Sequence, residues 1–387
     1  MKLKVTGLEG VVAAETEIGY VNGVSGQLVY RGYAAKELAV HHSFEEVAFL
    51  LWHGELPDEL QLKEFKKKLA SSRRLTPELK QLLDAMPKEA SMMSVMMAVI
   101  AASSGSAPSW PPTIEQAIHM TGILPSIIAY RYHQTHSAHS SQAAESEHRE
   151  HAPDSKHDAD WSEPTEDLDH VAYYLHLLFG RPASPAHIRA MNAYMILAME
   201  HGLNASTFTA RVVSSTESDL YSAVAAAIGA MKGPLHGGAP SGVIKLLEDI
   251  GSKEQAEPCM RAILGQGERL MGFGHRIYKT QDPRAEALRE VTTALAGDDP
   301  WLDLAQHAEQ TAIRLLAEYK PDRKLFTNVE FYAAAVMRAV QMPSMLFTPT
   351  FTAARIVGWT AHVLEQSQNN RIFRPQSTYV GPMPAGY

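Results

Sequence analysis

The chain has 387 residues, of which 45% are hydrophobic and 20% charged, with a formal net charge of -8. That is enough length and apolar mass for a sizeable core in one large or two smaller domains. The acidic balance argues against a nucleic-acid or anionic-membrane surface, either of which would require an excess of Lys and Arg.

The single cysteine, Cys259, allows no internal disulfide and fits a reducing, cytoplasmic setting. The first residues, MKLKVTGLEG, lack the apolar h-region of a signal peptide. No stretch approaches the ~18 apolar residues of a membrane span.

Taken along the chain, the first regular element is a short strand at Gly26–Tyr30. Ser43 and Glu46 form a capping box, in which each side chain satisfies an orphan N–H of the other's turn. Behind it Phe44, Val47, Ala48, Leu50 and Leu51 recur at helical spacing, and Gly54 and Pro57 end the run. Val95–Ala102 reads as a buried helix, with Met92, Met93, Met96 and Met97 as core packing. From about 133 to 166 the chain turns polar and holds six of its 18 histidines. This segment reads as a surface insert, since its irregular spacings and lack of a cysteine partner leave metal binding as the weaker alternative. Ser184-Pro185 opens another helix, and further helical runs cover Asp219–Met231, Ser241–Ile250, Leu304–Tyr319 and Thr350–Gln366. With too few alternating runs for a large sheet, the pattern predicts an all-α protein.

Three stretches depart from packing sequence. In Met231–Pro240, His236 sits among glycines and prolines just before a predicted helix. Glycines there let backbone approach a ligand, and a helix start nearby favours a neutral imidazole. In Leu270–Lys279, His275 follows Gly272-Phe273-Gly274, with Lys279 and Arg284 close behind. No strand precedes this Gly-x-Gly, which argues against a dinucleotide loop. In Thr327–Tyr332, Glu330 is one carboxylate among apolar residues, and burial there would raise its pKa toward that of a general base. Arg284, Arg355 and Arg374 are candidate carboxylate clamps, because guanidinium meets carboxylate in a fixed bidentate fork.

These residues, in this order, resemble the citrate synthase family. The strings MKGPLHGGAPSG, LMGFGHRIYKTQDPRAEALR and IFRPQSTYVGP are similar to its bacterial, shorter-chain branch, as are GLEGVVAAETEI, VYRGY and SFEEVAFLLWHGELP near the start. The resemblance implies a two-domain helical homodimer, with residues 1–238 and 341–387 as the large domain, 239–340 as the small domain, and the active site in the cleft between them. It implies oxaloacetate and acetyl-CoA as substrates, no tightly bound cofactor and no metal. His236 matches the histidine on the acetyl-CoA carbonyl and His275 the one on the oxaloacetate carbonyl. His201, in EHGLNAS with Asn204, matches a further oxaloacetate ligand. Arg284 and Arg355 match carboxylate-binding arginines, and Arg374 matches one that reaches over from the partner subunit. The backbone of Leu270, Met271, Gly272, Phe273 and Gly274, with Lys279, matches the CoA loop.

The family base is normally an aspartate in a string like NVD, whereas this chain reads NVEFYAAAV and places Glu330 there. The arm is longer by one C–C bond, about 1.5 Å, which predicts a working but slower enzyme. Two other functions fit the same motifs: 2-methylcitrate synthesis from propionyl-CoA, and a weakly active paralogue that binds CoA or a 2-oxo acid.

Overall fold

The computed structural model describes residues 7, 8, 10–104, 110–140, 167–237, 241–275, 277–293 and 300–384, without the side chains of residues 137–140 and 241. A hairpin of β1 (Gly19–Asn22) and β2 (Gln27–Tyr30) carries a two-residue third strand, β3 (Tyr33–Ala34), in antiparallel register. Then come α1 (Ala35–His41), α2 (Phe44–His53), α3 (Glu59–Ser71), α4 (Pro77–Ala85), α5 (Met92–Ala102), α6 (Ile114–Ser140), α7 (His170–Phe179) and α8 (Pro185–Met199). The rest is α9 (Ala205–Ser214), α10 (Leu220–Met231), α11 (Ser241–Ile250), α12 (Lys253–Gly265), α13 (Pro283–Thr293), α14 (Pro300–Tyr319), α15 (Val329–Ala339) and α16 (Phe347–Gln368). None of the described helices is long and apolar enough to cross a membrane.

The all-α reading holds, and several boundaries follow from caps visible in the sequence. At the start of α2, Glu46 N donates to the Ser43 hydroxyl (3.3 Å) and Ser43 N to the Glu46 carboxylate (2.8 Å). Gly54 closes the same helix at φ 90°, a left-handed conformation open to glycine. The structure adds β1 and β3 to the one strand expected, because the turn at 23–26 folds GYVN back onto QLVY. It also carries α6 on to Ser140, so the segment expected to leave regular structure at His133 begins as helix. Its apolar periodicity fades there because that end is less deeply packed. Residues 141–166, with His148, His151 and His157, lie outside the described residues.

α16 is the central helix. It is buried on nearly every face, including Trp359 at 0% exposure, and packs against α2, α6, α8, α9 and α10. Its buried positions include polar ones, Thr350, Thr352, Arg355, Thr360 and His362, so the helix carries hydrogen-bonding groups into the interior. α11 to α15 pack on one another and meet the remainder where α13 and α15 cross α8 and α13 crosses α1. These crossings bring together residues from distant parts of the sequence.

One core residue carries a stability prediction. The His170 ring is fully buried, stacks on Phe44 at 4.4 Å, and neither ring nitrogen has a partner among the described residues. Burial, then the Arg73 charge, pulls its pKa from 6.5 down to about 3. The unfolded chain therefore binds more protons than the folded one between those values, so stability is lost as pH falls from 6.5. The slope is about 1.4 kcal/mol per pH unit. His170→Phe should keep or raise stability at pH 7 and flatten this acid loss in denaturant titrations. An unchanged pH slope would contradict the assignment.

Candidate active site

Asn328 ties two of the three unusual stretches together. Its backbone N donates to Gly272 O (2.9 Å), its side-chain Nδ2 donates to Gly274 O (2.9 Å), and its Oδ1 accepts from Glu330 N (3.0 Å) at the start of α15. Gly274 N completes the link by donating to Phe326 O (2.7 Å). Gly272 has φ 88°, and a Cβ there would lie 2.9 Å from the Phe331 ring, so both conformation and contact require glycine. The turn carrying His275 is thus fixed to the helix start carrying Glu330.

A cleft of about 410 Å³ opens between this assembly and α8, α9 and α16. His201, Asn204, His236, His275, Arg284, Glu330 and Arg355 all line it, with Val329, Ala333, Phe347 and Phe351 as apolar wall. Seven of the residues singled out in the sequence therefore converge on one cavity.

The histidines are held neutral. Burial, then the Arg284 charge, brings His275 down to about 4. Its Nδ1 accepts backbone N–H groups of Ile277 (3.2 Å) and Tyr278 (3.1 Å), which leaves the ring proton on Nε2. Nη2 of Arg284 lies 3.3 Å from that Nε2. Two donors this close can serve one acceptor placed beside them. His236 is likewise brought to about 4, by burial and then by the Arg355 charge. Burial, then Arg284 and Arg355, holds His201 well below 6.5, and its Nε2 lies 3.1 Å from the Tyr278 hydroxyl.

Ser206 is a residue that the sequence reading missed. Its hydroxyl accepts from Trp359 Nε1 (2.9 Å), donates to Asn204 Oδ1 (2.8 Å) and lies 2.7 Å from His236 Nε2. Asn204 Oδ1 already accepts the backbone N–H groups of Ser206 and Thr207 as the N-cap of α9. Ser206 has one hydroxyl proton for two neighbours, Asn204 Oδ1 and His236 Nε2; when it turns to the imidazole, the ring proton sits on Nδ1. The only local signal was Ser206's place in EHGLNAS.

Charge in the cleft is mainly positive. Arg284 is gripped by Asp282, Nε to Oδ1 at 3.0 Å and Nη2 to Oδ2 at 2.9 Å. Arg355 is 2% exposed, donates Nε to Ala198 O (2.5 Å) and lies over the Phe351 ring. It has no carboxylate within 4 Å among the described residues. A buried guanidinium with no carboxylate in direct contact is costly, which suits a cleft that receives an anion. The Glu330 carboxyl makes no hydrogen bond among the described residues. Burial raises its pKa above 4.5, with Arg284 pulling the other way and Asp282 adding to the rise.

Other expected residues lie elsewhere. Arg374 is exposed and lines a separate groove between the chain's two ends, with Arg211, Arg371 and Glu17. Leu270 is buried in the core, Met271 is exposed, and Gly272 O is occupied by Asn328. Gly274 and Lys279 line a recess beside His275 that also holds Arg323 and Lys324, two cations the sequence reading did not single out.

The fold and this site define an all-α protein whose interhelical cleft sets buried guanidiniums and neutral imidazoles beside a carboxyl that has no hydrogen bond among the described residues. The chain belongs to the citrate synthase family, whose model, described as citrate synthase, C-terminal domain, matches residues 7–376. It is 39% identical to a 2-methylcitrate synthase of Shewanella oneidensis over 99% of this chain and 96% of that one. It is 37% identical to citrate synthase 2 of Bacillus subtilis over 97% and 95%. A solved citrate synthase from Thermoplasma acidophilum, in ternary complex with carboxymethyl coenzyme A and oxaloacetate, superimposes with a TM-score of 0.81 at 27% identity, covering 100% of this chain and 98% of that one. Members of the family are acyl-transferring enzymes with a two-domain helical fold.

Proposed function

We propose that the cleft condenses acetyl-CoA with oxaloacetate and hydrolyses the resulting thioester to citrate and CoA. The observation that carries this reading is the meeting of neutral His236 and His275, the free Glu330 carboxyl and buried Arg284 and Arg355 in one cavity. Oxaloacetate has two carboxylates for the two guanidiniums, with His201 and Asn204 beside them, and a carbonyl oxygen for the shared donors His275 Nε2 and Arg284 Nη2.

Glu330 removes a proton from the carbon next to the thioester. The electron pair moves onto the thioester oxygen, where Nδ1–H of His236 stabilises it. The enol carbon then attacks the oxaloacetate carbonyl carbon, forming the C–C bond, and His275 donates to the alkoxide that develops. Water then cleaves the thioester, its hydroxyl going to the acyl carbon and its proton leaving with CoA, while the proton held by Glu330 replaces the one His275 gave up. CoA is thus a co-substrate, and the reading requires no resident cofactor. Its phosphates fit the cationic recess of Lys279, Arg323 and Lys324, next to the backbone of 270–274. Residues 239–340 would close over both substrates as a unit, excluding water from the enol. The partner is a second copy of the chain. Arg374, exposed and away from its own cleft, would complete the site of that copy.

The name of the Shewanella relative supports a second reading, propionyl-CoA giving 2-methylcitrate. Ala333, three residues on from Glu330 on the same helix face, lines the cleft with only a methyl group. A thiol-release assay decides between them. Release that depends on oxaloacetate and is faster with acetyl-CoA is expected, and one methylene changes kcat/KM by roughly 10–200-fold. A higher kcat/KM with propionyl-CoA would assign the second reading, and no oxaloacetate-dependent release with either donor would overturn both.

A further inference from the structure

Glu200 stands between α8 and His201, and its side chain is fully buried. One carboxylate oxygen accepts the backbone N–H of Gly202. The other lies 3.0 Å from Nε2 of His362, itself fully buried. Arg211 fixes the direction of that bond, because it aims Nε (3.0 Å) and Nη2 (2.8 Å) at His362 Nδ1. Nδ1 must accept, so the ring proton sits on Nε2 and is donated to Glu200. Space for the carboxylate is made by two glycines. A Cβ at Gly19 would lie 2.9 Å from Glu200 Cγ, and one at Gly358 would lie 2.9 Å from Glu200 Oε2.

A carboxylate withdrawn from water is costly, and buried ionic networks contribute little net stability compared with apolar packing. The location of this one points to another role. Residues 198–201 supply the carbonyl that holds Arg355 Nε, the Glu200 charge and His201 in succession. The negative charge of Glu200 also opposes the desolvation of Arg355.

We propose that Glu200 is the positioning residue of the 2-oxo acid subsite: through Gly202 and His362 it fixes the turn that carries His201, and it supplies the counter-charge behind Arg355. This rests on the functional reading above. Glu200→Gln keeps the shape and an acceptor for Gly202, but removes the charge and sets its amide against the His362 donor.

Calorimetric titration with oxaloacetate, alongside steady-state kinetics, tests it. Glu200→Gln should weaken oxaloacetate binding and raise its KM on the order of tenfold, the effect of one charge-assisted hydrogen bond. The acyl-CoA KM should stay at the wild-type value. If that variant does not fold, His362→Phe, which removes the same contact from the other side, should give the same split. Equal rises in both KM values, unchanged oxaloacetate binding, or loss of the folded state in both variants would overturn the proposal and leave Glu200 as core support. Wild-type protein that bound no oxaloacetate would instead overturn the functional reading.

Discussion

Glu330→Gln should lower kcat by roughly 10²–10⁴-fold, the range for removal of a positioned general base. The amide is the same size, and Glu330 makes no side-chain hydrogen bond among the described residues, so the substitution breaks no contact that α15 depends on. Its backbone N remains capped by Asn328. KM for oxaloacetate should change little, because the proposed acid subsite of His201, His275, Arg284 and Arg355 stays intact. Glu330→Asp should move kcat the other way, upward, because it restores the shorter arm and Asn328 already fixes the helix start. An unchanged or lower kcat in the Asp variant would show that the backbone here is adapted to glutamate. In the wild type, the acid limb of kcat/KM should follow Glu330. Burial raises that carboxyl above 4.5, whereas His236 and His275 stay neutral down to about 4. Activity should therefore fall as the pH drops toward the raised Glu330 pKa, and the Gln variant should lack that limb.

His275→Asn should cost roughly 10²–10³-fold in kcat, the effect of losing one donor at a developing oxyanion. Asparagine retains an acceptor near the Nδ1 position for the N–H groups of Ile277 and Tyr278, so the turn is preserved. It offers nothing at the Nε2 position, and Arg284 Nη2 is left as the remaining donor to the carbonyl. Steady-state kinetics should show the kcat loss together with a raised oxaloacetate KM, while the acyl-CoA KM holds. A loss confined to the acyl-CoA KM would place His275 on the thioester side instead.

Local chemistry made much of this protein legible before its structure. Capping at Ser43 and Ser184, glycine at 54 and the helical run at Thr350–Gln366 are all signals spanning a few residues. His236, His275 and Glu330 stood out because each breaks the packing pattern around it. What stayed hidden was pairing across long sequence separations. Trp359 reaches Ser206, and His362 reaches Glu200, through the crossing of α16 with α8 and α9. No local pattern at either end of those pairs indicates the other. Asn328 read as part of a string around Glu330, and its clamp on Gly272 and Gly274 emerged only from the fold. The extension of α6 beyond His133 escaped for a different reason. A solvated helix end has the same polar composition as a loop.

A crystal structure of the chain with oxaloacetate and a non-reactive acetyl-CoA analogue is the decisive measurement. It should place a Glu330 carboxylate oxygen about 3–3.5 Å from the thioester α-carbon, with His236 on the thioester oxygen and His275 on the ketone oxygen. A closed complex with Glu330 turned away and another base at that carbon would contradict the assignment.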